Sequence, residues 1–290
     1  MLRWTAAGAV LMPSAVQIRC GTEGLAGLAA GAPALSSPMS ADDVVNNLSW
    51  FVNRLDPRQT RCTTAVLSDP SDDVDVLSRG VEAAREVGLR RLTVHVPPER
   101  VHLAARLGAD AVAVPVTSLH AASWKACTVE LTAVVPLARE RLPELTALAA
   151  RFVKLRPNRV VFHWPSPVPG AEPPPRYDVL GAPLRVAVAA LDAASIAWGV
   201  KGLPACALAA MGMSAPEAHA WRTHNRWLVD AQHQLGAALL WFPQVVRAIH
   251  VDSCRVCRAA SRCDGVALQW LEAGLAGPLE PIGEGDHAAA

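Results

Sequence analysis

The chain has 290 residues and a net charge of +1, with 51% hydrophobic and 18% charged residues. That balance supports a sizeable core and argues against general disorder. Without a basic tract, it also argues against a nucleic-acid-binding or polybasic membrane surface. No run of about 18 uninterrupted apolar residues occurs, so no transmembrane helix is expected. Residues 2–16 are largely apolar behind Arg3, which faintly suggests a signal peptide. Pro13 breaks that stretch, and residues 16–19 alternate as a strand does, so a buried first strand is preferred. The expected location is cytoplasmic.

Taken in chain order, the pattern alternates between short β-type runs and helices. Residues 15–19 read as the first strand, followed by a helix over 41–55. Ser40 and Asp43 form a capping-box pattern at its start. Val44, Val45, Leu48, Phe51, Val52 and Leu55 fall at helical spacing on one face. A strand at 62–67 precedes a helix at 73–87, which Gly88 stops. A third strand at 92–96 leads through Pro97 and Pro98 to a helix that ends at Gly108. Residues 109–116 are small and β-branched, as a strand buried on both faces requires. A short helix at 118–126, a strand at 128–135, an apolar helix at 142–155 and a strand at 159–164 follow. A Pro-rich connection over 165–175 leads to a helix at 183–197.

Six βα units in a row imply parallel strands with right-handed crossovers. Pattern alone leaves a partial barrel and a doubly wound sheet equally open. Beyond 198 the segments look helical and Trp-rich, with Trp221, Trp227, Trp241 and Trp270. The expected division is residues 1–198 for the βα array, 199–276 for a cysteine-bearing region and 277–290 for a tail.

Seven cysteines stand at 20, 62, 127, 206, 254, 257 and 263. The count is odd and three fall close together, unlike a secreted disulfide scaffold. Cys254, Cys257 and Cys263 form C-x2-C-x5-C. The C-x2-C pair lets two thiolates converge from a tight turn, and five further residues bring back the third. Arg255, Arg258 and Arg262 lie among them, where positive charge favours thiolates. Gly265 is expected to relieve crowding near a metal. Three thiolates leave a zinc ion or a four-iron cluster one ligand short. Cys206, in an expected loop after Gly202 and Pro204, is the best fourth ligand, and His250 is the second candidate. Cys20, Cys62 and Cys127 are isolated in apolar surroundings and read as core packing.

The C-x2-C-x5-C run, with Gly202-x3-Cys206 ahead of it, resembles the auxiliary-cluster region of radical S-adenosylmethionine (radical SAM) enzymes of the SPASM/twitch type. The βα array resembles the partial (β/α)6 barrel of that superfamily, and the likeness covers about residues 15–275. It implies one auxiliary [4Fe-4S] cluster on Cys206, Cys254, Cys257 and Cys263. A full SPASM pattern would place another cysteine shortly after Cys263, where this chain has Ala267. The superfamily's catalytic C-x3-C-x2-C after the first strand is missing, since Cys20 stands alone before Cys62. One thiolate cannot hold a four-iron cluster. Leu67-Ser68-Asp69-Pro70 stands where the superfamily usually has Gly-Gly-Glu-Pro, and His95-Val96-Pro97-Pro98 stands where many members have Thr-Asn-Gly.

The resemblance therefore implies a degenerate radical-SAM-like pseudoenzyme. It would lack bound S-adenosylmethionine and act as an accessory subunit of an intact radical SAM enzyme, in substrate binding or electron transfer. Two alternatives stay open: an enzyme with other chemistry in the barrel mouth, and a binding protein with a structural zinc site. Among the remaining polar residues, His95, His163 and Trp164 end strands where parallel α/β folds place their sites. Asp69 and Asp72 read as helix caps. Asp230 and His233, three apart, could share a helix face as an acid/base pair.

Overall fold

The computed structural model describes residues 2–5, 8–11, 15–20, 38–52, 62–68, 73–117, 124, 128–165, 172–213, 226–229, 239–241, 248–261, 263 and 265–283. An antiparallel hairpin, β1 (Leu2–Thr5) and β2 (Gly8–Leu11), comes first. Seven parallel strands follow: β3 (Ala15–Arg19), β4 (Thr64–Ser68), β5 (Arg91–His95), β6 (Ala111–Pro115), β7 (Glu130–Pro136), β8 (Arg159–His163) and β9 (Ala197–Lys201). Each pairs with the next in chain order. A doubly wound sheet reverses direction at a switch point. Across these seven strands spatial order follows chain order, which is the arrangement of a partial barrel. The register confirms it. The ladder from Arg19 runs through Ser68, His95, Ala113, Thr132 and Arg159 to Ala197, short of Lys201 at the strand end. Such stagger is the shear that tilted barrel strands require. Beyond β3 the sheet continues with β10 (Arg226–Val229), parallel to it, and β11 (Leu239–Trp241), antiparallel to β10.

The helices form where the sequence places them. In α1 (Ala41–Val52) the expected capping box is made: the Asp43 N–H donates to Ser40 Oγ at 3.2 Å and the Ser40 N–H to Asp43 Oδ2 at 3.1 Å. Val44, Leu48, Phe51 and Val52 are buried against the sheet. The next helix, α2 (Val74–Glu86), is capped by Asp73, whose side chain accepts the Asp75 N–H at 2.9 Å. Asp69 and Asp72, the caps expected there, lie outside the described residues, as does the expected helix at 118–126 apart from Trp124. Further on, α3 (Val101–Leu107) ends on Gly108 at φ 96°, and α4 (Leu145–Leu155) carries buried Leu145, Leu148 and Phe152.

Two expectations change. The helix expected at 183–197 is α5 (Tyr177–Ala193), with Pro183 inside it. Ser195, in the left-handed region at φ 56°, turns the chain, and Ala197–Lys201 becomes the seventh parallel strand. Only Trp198, Gly199 and Val200 mark it in sequence, too short a run to separate from an Ala-rich helix. The sheet thus continues past residue 198. The region after it, expected to be mostly helical, contributes strands as well as helices among the described residues.

Asp110 shows how the array is pinned. Its carboxylate accepts the Leu92 N–H at 2.7 Å and Arg85 Nη2–H at 3.0 Å. Burial works to raise its pKa, but the Leu92 N–H and Arg85 outweigh it and hold the group below its ordinary value. A carboxylate depressed in this way stabilises the fold above its unfolded pKa and loses that contribution as pH falls through the folded pKa. Asp110→Asn is expected to cost about 1 kcal/mol at neutral pH, with the gap closing on acidification. Urea unfolding of both proteins at neutral and acid pH checks this.

Candidate metal centre

After β9 the backbone turns at Gly202, φ 85°, where a Cβ would lie 2.2 Å from the Trp164 carbonyl oxygen. Only glycine fits that turn. Pro204 then opens α6 (Ala205–Ala210), and Cys206 sits on its first turn rather than in the expected loop. The other three thiols hang from a two-stranded clasp, β12 (Ala248–Ile249) paired antiparallel with β13 (Val266–Ala267). Between these strands a 3-10 turn at Asp252–Val256 carries Cys254. Its N–H donates to the Val251 carbonyl at 2.9 Å, and the Cys257 N–H donates to the Cys254 carbonyl at 3.2 Å. Gly265, φ 85°, closes the clasp, and a Cβ there would lie 2.2 Å from the Ile249 carbonyl oxygen. Gly265 is therefore required by the clasp backbone itself.

The fold brings together all four predicted ligands. Cys206, Cys254, Cys257 and Cys263 line one pocket with Pro204, Ile249, His250 and Leu279, enclosing about 320 Å³ of unfilled space, its open mouth included. None of the four is in a disulfide, and Cys263 is buried while the others are half-buried. Backbone N–H groups of Ala205 and Gly265 donate to Cys263 Sγ at 3.5 and 3.4 Å. Amides aimed at a sulfur stabilise its thiolate and tune any cluster it ligates. His250 Nε2 lies 3.0 Å from the Cys263 carbonyl oxygen, so this ring nitrogen braces the loop. Residues 277–283 do not begin a tail: the Arg258 N–H donates to the Ile282 carbonyl at 3.0 Å, and Ile282 packs with Ala205, Ala259 and Cys263.

The electrostatics differ from the expected influence of the arginines. Arg255 engages Asp252 at 3.2 Å, and Arg262 lies outside the described residues. Burial pushes the Cys206 thiol up to about 11, and the neighbouring Cys263, Cys257 and Cys254 add to the shift. A thiol raised in this way stays protonated, so any metal or cluster that it ligates must displace its proton on binding. Among the described residues, no group of three or more His, Cys, Asp and Glu side chains is arranged to hold a metal ion as it stands.

Beside the pocket lies a feature that sequence reading did not single out. Tyr177 opens α5 and is buried, and its hydroxyl has no hydrogen-bond partner. Its pKa is raised by burial first and then by proximity to Cys206 and Cys263. An orphaned buried donor close to two thiols is consistent with an acceptor-bearing group in the pocket. The ring packs edge-on against Trp164, centroids 4.8 Å apart, and Trp164 meets Trp270 at 5.8 Å. Trp270 belongs to α7 (Leu268–Glu272), and its Nε1–H donates to the Pro165 carbonyl at 2.9 Å. Trp164 is thus a pillar between the barrel and the thiol clasp, with its own Nε1–H bound to the Pro175 carbonyl at 3.0 Å.

Cys20 and Cys62 are buried in the apolar core, as expected, and burial pushes the Cys62 thiol up to about 11. Cys127, the residues 21–37 that follow the first strand, Asp230 and His233 lie outside the described residues. Alkylation by iodoacetamide at neutral pH in the apo protein is expected to reach Cys254 and Cys257 well before Cys20 or Cys62. Peptide mapping by mass spectrometry checks the order.

Neither a family model nor a curated protein matches the sequence. Two solved structures of Streptococcus suis SuiB do match the fold. One aligns over 75% of this chain and 58% of that chain, with a TM-score of 0.51 and 8% identity. The other, SuiB bound to S-adenosylmethionine, aligns over 95% of this chain and 77% of that chain, with a TM-score of 0.58 and 9% identity. The chain thus spans less than three-fifths of the first of these. Among the described residues, no helix is long and apolar enough to cross a membrane. At such identities the likeness speaks to architecture alone, and the shared architecture is a parallel, partly closed α/β barrel.

Proposed function

We propose that this chain is a catalytically degenerate radical-SAM-like protein that retains one auxiliary [4Fe-4S] cluster and serves as an accessory subunit of an intact radical SAM enzyme. The observation that carries the cluster is the single pocket lined by Cys206, Cys254, Cys257 and Cys263. An all-thiol donor set suits iron–sulfur ligation. Bound there, such a cluster would supply one-electron transfer. The chain's own residues do the rest. Cys263 receives two amide N–H groups, His250 holds its carbonyl, and the Gly202 and Gly265 turns deliver the thiols from two separate segments.

The degenerate character rests on the lone thiol at the end of the first strand. Cys20 is fully buried and its Sγ faces the Ile18 carbonyl at 3.8 Å. An accessory role follows for a protein with this fold and no second set of cluster ligands in its sequence. Anaerobic purification should yield about four irons and four sulfides per chain, with a paramagnetic signal after reduction. A colourless protein holding one zinc would overturn the cluster. Reductive cleavage of S-adenosylmethionine by the chain alone would overturn the degenerate reading. Tyr177→Phe is expected to change apo stability by less than about 1 kcal/mol, because its hydroxyl has no partner to lose. Cluster retention during anaerobic gel filtration should fall in the same variant.

A further inference from the structure

We propose that the Tyr177 hydroxyl donates a hydrogen bond to the Cys206 sulfur once that thiol is metal-bound, and so tunes the centre through its ligand. The hydrogen bond requires only a metal on Cys206. Its effect on a reduction potential rests on the cluster proposed above.

The fold carries Tyr177 to the thiols and closes it in. Tyr177 opens α5. One turn further along that helix, a Cβ on Gly181 would lie 3.4 Å from Met211 Cγ, and Arg185 donates to the Met211 carbonyl at 3.2 Å. Met211 ends α6, the helix whose first turn carries Cys206. So α5 packs on α6, and Cys206 and Cys263 are the thiols whose charge the Tyr177 hydroxyl feels. On its other sides the ring meets Trp164 edge-on at 4.8 Å, and a Cβ on Gly277 would lie 3.8 Å from Tyr177 Cβ. The residue is 4% exposed.

A phenol in such a setting is costly unless its O–H is bonded. The Tyr177 hydroxyl has no partner. The neighbouring indoles of Trp164 and Trp270 are donors themselves, engaged with the Pro175 and Pro165 carbonyls at 3.0 and 2.9 Å. Sulfur is the acceptor within reach, and its protonation state decides how good an acceptor it is. A neutral thiol accepts weakly, whereas a thiolate makes a charge-assisted bond. Metal binding displaces the Cys206 proton and so creates the acceptor that the hydroxyl lacks in the apo chain.

Of the two thiols, Cys206 is the one addressed. It acts on the Tyr177 hydroxyl more strongly than Cys263 does. Cys263 Sγ already receives the Ala205 and Gly265 N–H groups, while Cys206 receives a backbone N–H from Ala207. Hydrogen bonds to cluster sulfurs draw off negative charge and favour the state that carries one more electron. Tyr177 thus works in the same direction as the amides, as a positioning residue that acts through Cys206.

The chain has a single tyrosine, so growth on 3-fluorotyrosine labels this ring alone. The apo full chain is loaded with zinc, with cobalt, and with ferrous iron plus sulfide, and metal content is read on every sample. The one fluorine-19 resonance should move on zinc loading. In Tyr177→Phe the sulfur-to-cobalt charge-transfer band should shift to the red, because the thiolate loses a donor. At the wild-type midpoint, the iron-bearing fraction of Tyr177→Phe should hold at least threefold less reduced centre relative to oxidised, which is about 28 mV for one electron. A fluorine resonance that zinc leaves in place overturns the proposal, and so does a cobalt band unchanged in Tyr177→Phe. The fluorine label reads the native tyrosine, so it decides the matter even where Tyr177→Phe fails to fold. A chain that takes up zinc and cobalt but no iron, with both spectral shifts present, upholds the hydrogen bond and overturns the cluster. A chain that takes up no metal overturns both.

Discussion

Cys263→Ala is expected to reduce bound iron from about four atoms per chain to less than one. Cys263 is the thiol on which the pocket converges, since it is buried and receives the Ala205 and Gly265 N–H groups. Removing it strips one ligand and leaves two amides without their acceptor. Cys206→Ala should act almost as strongly, because it removes the thiol supplied from α6 across the pocket from the clasp. Cys62→Ala should leave iron unchanged, since that thiol is buried elsewhere in the core. Iron and sulfide assays after anaerobic reconstitution separate the three. Equal iron in the Cys263 and Cys62 variants would remove the pocket from consideration as a metal centre.

The second large effect is expected from two glycines. At both Gly202 and Gly265 φ is 85°, and a Cβ would lie 2.2 Å from a carbonyl oxygen. The obstacle is backbone in each case, so no side-chain rotation relieves it. Left-handed strain plus this clash should cost about 3 kcal/mol or more for alanine. For a chain of this size that lowers the melting temperature by roughly 6–12 °C if the whole fold responds. The two variants should nonetheless differ. Gly202 presses on Trp164, which stands between β8, Tyr177 and Trp270, so Gly202→Ala should destabilise the barrel globally. Gly265 presses on Ile249 inside the small β12–β13 clasp. Gly265→Ala should open that clasp and lose the cluster while the barrel melts close to its normal temperature. Calorimetry with iron analysis distinguishes the outcomes.

Much of the barrel can be read from the chain because its signals are local. The strand at 15–19, the α1 capping box of Ser40 and Asp43, and the stop at Gly108 each depend on residues a few positions apart. The seventh strand was not legible, because three residues ending at Val200 carry too little pattern beside the Ala-rich end of α5. Its position is set by pairing with β8, a partner more than thirty residues away. The placement of Cys206 on a helix was missed for a related reason. Gly202 and Pro204 mark a turn in sequence, but whether a helix follows depends on packing of Gly181 and Arg185 of α5 against Met211.

The four thiols were a set in sequence, on spacing for Cys254, Cys257 and Cys263 and on resemblance for Cys206. Chain pattern alone established that three of them share one tight loop, because the geometry of C-x2-C is local. Only the tertiary structure decided that Cys206 joins them in the same pocket and that Tyr177 lies beside it. Those relations join residues up to about 90 positions apart. They follow from how α5, α6 and the clasp pack together, which leaves no trace in local periodicity.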